Sequence, residues 1–168
     1  MIMRQFLVKE MPYDTQRDFT PVARIGEAIA AIFISAEFPA KSYAEMIDYA
    51  KRNPGKVSYS TTGIGTTHHL SGHMIGELSN INWVHVPYKS GPQAMTDLIG
   101  GQIELAFENA PNCVPHVQAN RLRAIGVTTL TRARALPDVP PIAEAGVPGS
   151  AAPAGSTRSS YSFLRRAT

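Results

Sequence analysis

Glycines, hydroxyl residues and histidines are concentrated in one stretch, residues 59–70, with the sequence YSTTGIGTTHHL. Apolar residues precede it and a helical pattern of apolar residues follows, so the stretch predicts a strand, a loop and a helix. We call residues 61–67 the glycine loop. Glycines let a ligand approach the backbone, and the first N–H groups of a helix have no helical acceptor. The pattern therefore favours binding of a small anion such as a carboxylate.

Nucleotide phosphates fit this loop less well than a carboxylate does. A P-loop requires a lysine after its last glycine, and the dinucleotide-binding fingerprint requires a third glycine where His68 stands. The candidate ligand-binding residues in and beside the loop are Ser60, Thr61, Thr62, Gly63, Gly65, Thr66 and Thr67. The alternative is a tight turn without a ligand, in which Ser60, Thr62 and Thr67 only cap the helix.

Three further candidates follow later strand patterns. Tyr88 and Lys89 come directly after an apolar run and could supply a ring wall and a positive charge. Asn109 follows the next apolar run and could donate a hydrogen bond. The structural alternatives are a solvated surface lysine and an asparagine that only forms a turn.

The histidines suggest a metal site only weakly. His69 and His73 are spaced to lie on one helix face, with Glu77 one turn further, but the H-E-x-x-H signature is absent. The single cysteine, Cys113, has no partner motif for a nucleophile, and no G-x-S-x-G elbow is present. We therefore expect no metal, no cofactor and no enzymatic activity.

Strand and helix patterns alternate from residue 22 to residue 129. Apolar, β-branched runs predict one or two strands over 22–25 and 29–34, and further strands at 57–59, 81–86, 103–107 and 122–127. Apolar stripes predict helices at 43–50, 66–78, 94–99 and 114–119, the first with a capping box of Ser42 and Glu45. This alternation predicts an α/β fold with a mainly parallel sheet and helices on both faces. The glycine loop and the segments after Val86 and Phe107 should share the carboxyl edge of that sheet.

Composition and charge narrow the class of protein. The chain is 43% hydrophobic and 17% charged, as in a globular domain, and has no apolar run long enough to span a membrane. Three of the 16 basic residues follow residue 157; without them, basic and acidic residues number 13 each. No basic patch is interleaved with aromatic residues, so a nucleic-acid partner is not expected. The first residues lack an export signal, which by itself predicts a cytoplasmic chain.

Proline, glycine and charge patterns divide the chain into four segments. Residues 1–26 predict a connecting segment, and residues 27–129 the α/β ligand-binding lobe. Residues 130–148 are rich in proline and predict an extended crossover, and residues 149–168 have little to bury and predict a disordered tail.

Several short segments, taken in order, resemble the solute-binding receptors of tripartite tricarboxylate transporters, the Bug family of bacterial periplasmic proteins. They are 12–14 (PYD), 18–22 (DFTPV), 53–56 (NPGK), 61–66 with 69–70 (TTGIGT and HL), 86–89 (VPYK), 100–103 (GGQI), 136–140 (LPDVP) and 144–146 (EAG). This chain departs from the family pattern at Ser90 and Asn120, where glycine is usual, and at Pro141, where threonine is usual. Asparagine tolerates the left-handed backbone conformation, so the change at Asn120 is mild.

The resemblance implies a periplasmic-binding-protein-like (Venus flytrap) fold, of which this chain has the second lobe while the first is largely missing. It implies a truncated receptor, monomeric and periplasmic, that binds a small organic acid and delivers it to membrane transporter subunits. By motif, the ligand carboxylate would be held by Thr61, Gly63, Gly65 and Thr66. Two alternatives stay open: a metal-dependent α/β enzyme that uses His69 and His73, and a gene remnant without function.

Overall fold

The structure is a computed structural model that describes residues 11–14, 17–20, 22–23 and 29–144. Five strands are formed by Ala30–Ser35 (β1), Ser58–Thr61 (β2), Val84–Pro87 (β3), Leu105–Asn109 (β4) and Leu122–Val127 (β5). Four helices are formed by Tyr43–Arg52 (α1), Thr67–Ser79 (α2), Gly91–Ile99 (α3) and Ala110–Gln118 (α4). Within these described ranges, no helix is long and apolar enough to cross a membrane.

The five strands form one mixed sheet in the order β3-β2-β4-β1-β5. β2 pairs in parallel with both β3 and β4. β1 is antiparallel to its two neighbours, with Ile32 opposite Phe107 of β4 and opposite Gly126 of β5. The predicted α/β class is confirmed, and the four strands after β1 share one direction. The expectation of a mainly parallel sheet needs refinement, because β1 lies between β4 and β5 and runs the opposite way.

Helices cover both faces of the sheet, as predicted. Alternate side chains of β1 enter two separate clusters of buried apolar residues, because successive residues of a strand point to opposite faces. Ile32 and Ile34 pack with α1 and with Ile75 of α2. Ala31 and Phe33 pack with α3 and α4 on the other face. All six residues of β1 are buried, which explains its nearly continuous apolar sequence.

The predicted cap of the first helix is present with one change. The Ser42 side chain accepts a hydrogen bond from the N–H of Glu45 at 3.3 Å. In a capping box the Glu45 carboxylate would accept from the backbone N–H of Ser42. Here it accepts from the backbone N–H of Lys41 at 2.8 Å. Asn120 adopts a φ of +54°, so it takes the left-handed conformation that glycine usually supplies.

Two predicted elements differ most from the structure. The strand predicted at 22–25 is wrong where it is described, because Val22 and Ala23 lie outside any strand and Val22 is 97% exposed. The helix predicted at 114–119 begins earlier, at Ala110, because Pro111 fits the first turn of a helix, where an N–H needs no acceptor.

The proline-rich segment packs against the lobe over its described part, residues 130–144. Ala133, Leu136 and Val139 join the cluster beneath α3 and α4, and Ile142 joins the other. The N–H of Ile142 donates to the carbonyl of Val127 at 2.9 Å. The boundaries of the four segments stay predictions, and the predicted tail at 149–168 lies outside the described residues.

Candidate functional site

The glycine loop joins β2 to α2 with two residues in backbone conformations that favour glycine. The φ angles are +126° at Gly63 and +77° at Gly65. A Cβ at Gly63 would meet no atom closer than Thr66 Cγ2 at 4.0 Å. Conformation, and not lack of space, therefore requires glycine at position 63.

Hydrogen bonds of two threonine side chains fix the conformation of the loop. Thr66 is the N-cap of α2: its Oγ1 accepts from the N–H of His69 at 3.3 Å and donates to the carbonyl of Gly63 at 2.8 Å. Thr61 Oγ1 accepts from the N–H of Gly63 at 3.3 Å and lies 2.7 Å from Nε2 of His85. Both hydroxyl groups thus have structural partners before any ligand is considered.

The first turn of α2 leaves two amide groups unsatisfied. The N–H groups of His69 and Leu70 bond to Thr66. The N–H groups of Thr67 and His68 have no acceptor among the residues that the structure describes. These two donors lie at the positive end of a 13-residue helix, an arrangement that attracts an anion.

The remaining predicted loop residues lie in different surroundings. Ser60 is 1% exposed, and its hydroxyl has no hydrogen-bond partner among the described residues. Thr62 and Thr67 are exposed. The helix cap is Thr66, so none of Ser60, Thr62 and Thr67 takes the capping role considered for them.

Tyr88 and Lys89 lie beside the glycine loop. The N–H of Tyr88 donates to the carbonyl of Thr61 at 2.9 Å, which joins the end of β3 to the end of β2. The Tyr88 hydroxyl donates to Asp97 Oδ2 at 2.7 Å. Burial, the hydrogen bond to Asp97 and its charge raise the pKa of Tyr88 to about 12. The Tyr88 hydroxyl is thus occupied, whereas Lys89 is exposed.

Asn109 lies at the same edge of the sheet, at the end of β4. It is the N-cap residue of α4, yet its side chain makes no bond to that helix. The side chain interacts instead with His68 in the first turn of α2. Burial lowers the pKa of His68, while Glu108 and Asn109 oppose this shift. The structure therefore brings the ends of β2, β3 and β4 together, as the alternating pattern predicted.

Sequence reasoning missed a buried carboxylate at this edge. Glu108 is 3% exposed, and its Oε1 accepts from the N–H of Asn109 at 2.8 Å and from Nδ2 of Asn112 at 3.3 Å. Its other oxygen lies against Gly91 at the start of α3. The available signal was an acidic residue at the end of an otherwise apolar strand.

Two of the histidines are arranged as a pair beside the loop. The rings of His69 and His85 lie 4.3 Å apart between centroids, and His73 is exposed. Within the described ranges, no group of three or more histidine, cysteine, aspartate or glutamate side chains could hold a metal ion. Cys113 is buried.

Two grooves lie outside this region. One is formed by the end of α1 and the connection from α2 to β3, and the other lies between α3 and α4. Neither contains a residue of the glycine loop. We assign the candidate site to the loop because unsatisfied N–H donors are a chemical reason for binding an anion. The concave shape of a groove is not by itself such a reason.

Known proteins similar to this chain are solute-binding receptors. The family described as "Tripartite tricarboxylate transporter family receptor" matches residues 2–156. The "UPF0065 protein in tcbD-tcbE intergenic region" of Pseudomonas sp. (strain P51) is 33% identical over 150 residues, covering 89% of this chain and 45% of that protein. The chain thus spans about half the length of the curated relatives it matches.

Solved structures give the same result. The R. palustris protein Rpa4515, solved with adipate, has a TM-score of 0.77 and 35% identity over 84% of this chain and 47% of its own. The periplasmic binding protein BugD has a TM-score of 0.70 and 30% identity over 83% of this chain and 50% of its own. MatC from Rhodopseudomonas palustris, with bound malate, has a TM-score of 0.75 and 26% identity over 93% of this chain and 56% of its own.

The predicted fold is therefore confirmed: the chain matches about half of each periplasmic binding protein, as a single lobe does. The predicted resemblance is confirmed as well, since the family match covers most of the sequence. This chain belongs to the tripartite tricarboxylate transporter receptor family, also called the UPF0065 or Bug proteins.

Proposed function

We propose that this chain binds a small organic carboxylate at the glycine loop and serves a membrane transporter as its receptor. The observation that carries the proposal is the pair of unsatisfied N–H donors of Thr67 and His68 at the N-terminus of α2. A carboxylate oxygen accepts such bonds, and the helix dipole favours its negative charge.

The other rim residues take supporting roles in this proposal. Gly63 and Gly65 keep the backbone open to the ligand, and Thr61 and Thr66 fix the loop that presents the donors. Tyr88 contributes its ring face because Asp97 occupies its hydroxyl. Lys89 attracts the anion from solution, and Asn109 donates from the neighbouring strand.

Solved relatives support a dicarboxylate as the ligand class. Rpa4515 was solved with adipate and MatC with malate, and both share this fold. We infer that the receptor acts as a monomer in the periplasm, transfers the acid to the membrane subunits of the transporter and performs no covalent chemistry. Thr67 and Lys89 are exposed, so we expect weak binding by this chain, because charged groups that stay solvated lose much of their strength.

Titration of two matched glycine variants tests the proposal. Gly63→Ala and Gly101→Ala each place a side chain at a positive φ, +126° and +69°, but Gly101 lies between α3 and β4, outside the loop. Gly63→Ala should lose more stability than Gly101→Ala, because a φ of +126° is less accessible to alanine than the left-handed region, so affinities are compared on the folded protein. Only Gly63→Ala should lose the affinity for adipate and malate in isothermal titration calorimetry. Equal affinities in the two variants would contradict a site at the loop.

A further inference from the structure

Two neighbouring imidazole rings each contact the glycine loop through a ring nitrogen. The N–H of Gly65 donates to Nδ1 of His69 at 3.3 Å. Nε2 of His85 lies 2.7 Å from the Thr61 hydroxyl, which in turn accepts from the N–H of Gly63. The two rings contact each other at a centroid distance of 4.3 Å. Proton binding at either ring therefore acts directly on the loop.

The bond from Gly65 defines the protonation state of His69. A backbone N–H can only donate, so Nδ1 of His69 must be an unprotonated acceptor, and the ring is neutral with its proton on Nε2. A proton added at Nδ1 would place two donors face to face. They could then share only an acceptor located between them, and a carboxylate oxygen is such an acceptor.

The surroundings of the ring disfavour a positive charge in the free protein. His73 lies on the same helix, and His85 of β3 contacts His69. The ring centroids of His85 and Tyr59, on β2, are 5.0 Å apart. Burial, followed by His73, lowers the pKa of His69, and burial, followed by His69, lowers the pKa of His85. Among the described residues, neither ring forms an ion pair with a carboxylate. A bound anion would supply the missing negative charge.

We propose that His69 is a ligand-binding residue that takes up a proton together with the carboxylate, which then accepts from both His69 Nδ1 and the N–H of Gly65. This inference rests on the proposed function and adds a charged donor beside the backbone N–H groups of the loop. The bond between Gly65 and His69 opens and is replaced by two bonds to the anion. The proton comes from solvent.

Proton uptake by His69 predicts the direction in which ligand affinity changes with pH. The anion raises the pKa of His69 in the complex above its value in the free protein, so affinity is highest at low pH and falls as the pH rises through the pKa of the complex. Between the two pKa values, affinity changes by up to about tenfold per pH unit. Ligand carboxylates are largely ionised from about pH 6 upwards, so they contribute little to this dependence in the range that is titrated.

Calorimetry on the 168-residue chain tests the inference. Adipate and malate are titrated at about pH 6 and about pH 8, spanning the imidazole range, in two buffers of different ionisation enthalpy at each pH. The chain should bind more tightly at the lower pH, by about tenfold or more, and take up a fraction of a proton that approaches one. His116→Gln, which removes a histidine of α4 away from the glycine loop, should keep both properties, whereas His69→Gln should lose them.

Binding with equal affinity at both pH values and without proton uptake would overturn the role of His69 and leave the proposed function intact. Absence of binding at every pH would remove the proposed function, and this inference with it. If His69→Gln does not fold, NMR titration of the His69 ring in the unmodified chain tests the inference. The pKa of His69 should rise when adipate is added, and an unchanged value would overturn the inference.

Discussion

A side chain at position 91 would collide with the buried carboxylate of Glu108, because a Cβ built on Gly91 lies 2.7 Å from Glu108 Oε2. The carboxylate cannot move away freely, since Asn109 and Asn112 both donate to its other oxygen. Glycine at the start of α3 therefore lets the end of β4 approach that helix closely.

Gly91→Ala should consequently lower the free energy of unfolding by about 1–3 kcal/mol, the usual cost of overpacking a buried site. Urea denaturation measures the loss. In a Glu108→Asp background the shorter side chain leaves room for the added methyl group, and the same substitution should cost less. An equal cost in both backgrounds would contradict the proposed contact.

Removal of the Thr66 hydroxyl should destabilise the loop and α2 together. Thr66→Ala loses the bond from the N–H of His69 and the bond to the carbonyl of Gly63. We expect a loss of about 1–2 kcal/mol, typical of a deleted N-cap, measured from the urea midpoint. Thr66→Ser keeps the hydroxyl and should recover most of that loss. Serine and alanine variants of equal stability would show that the cap contributes little.

Lys89 should contribute less to affinity than the loop does. The residue is exposed, so Lys89→Ala should weaken dicarboxylate binding by less than about fivefold, and high salt should reduce even that effect. Gly63→Ala should weaken binding more under the same conditions. If the lysine variant loses binding while the glycine variant keeps it, recognition depends on a salt bridge at the rim.

Tyr88 should ionise at a much higher pH than an ordinary tyrosine. Its pKa is raised to about 12, so at pH values from about 10 upwards the unfolded chain releases this proton while the folded chain retains it. The stability that this group contributes is therefore complete below about pH 10 and is lost as the pH rises towards 12.

Ultraviolet titration of phenolate absorbance measures the pKa of Tyr88 by comparison with Tyr88→Phe. Asp97→Asn should move the Tyr88 transition to lower pH, because the charge that opposes the phenolate is removed and the hydrogen bond to a carboxylate is lost. A transition unaffected by Asp97→Asn would mean that burial alone sets the pKa.

Cys113 should be unreactive in the folded chain. The residue is 0% exposed, and burial, together with the charge of Glu108, raises the pKa of its thiol to about 12. Because the thiolate is the reactive species, DTNB should label the chain only after unfolding in urea. Rapid labelling under native conditions would show that β4 and α4 open readily.

The sequence by itself determined much of the local structure and singled out the glycine loop, which we propose as the site. Ser42 and Glu45 marked the start of α1 because a side-chain cap needs only residues within one helical turn. The glycines of the loop marked backbone conformations that other residues avoid, and the φ angles at Gly63 and Gly65 agree. The alternation of patterns also indicated that the ends of β2, β3 and β4 would meet.

Only the tertiary structure decided which elements become neighbours. β1 is antiparallel between β4 and β5, which no local pattern reveals, because a strand buried on both faces has the same apolar sequence in either direction. Val22 is 97% exposed, although its apolar side chain favoured a buried position. The contact of Glu108 with Gly91 and the pairing of His69 with His85 join residues of different elements. Their chemistry depends on distances that arise only when the sheet and its helices pack together.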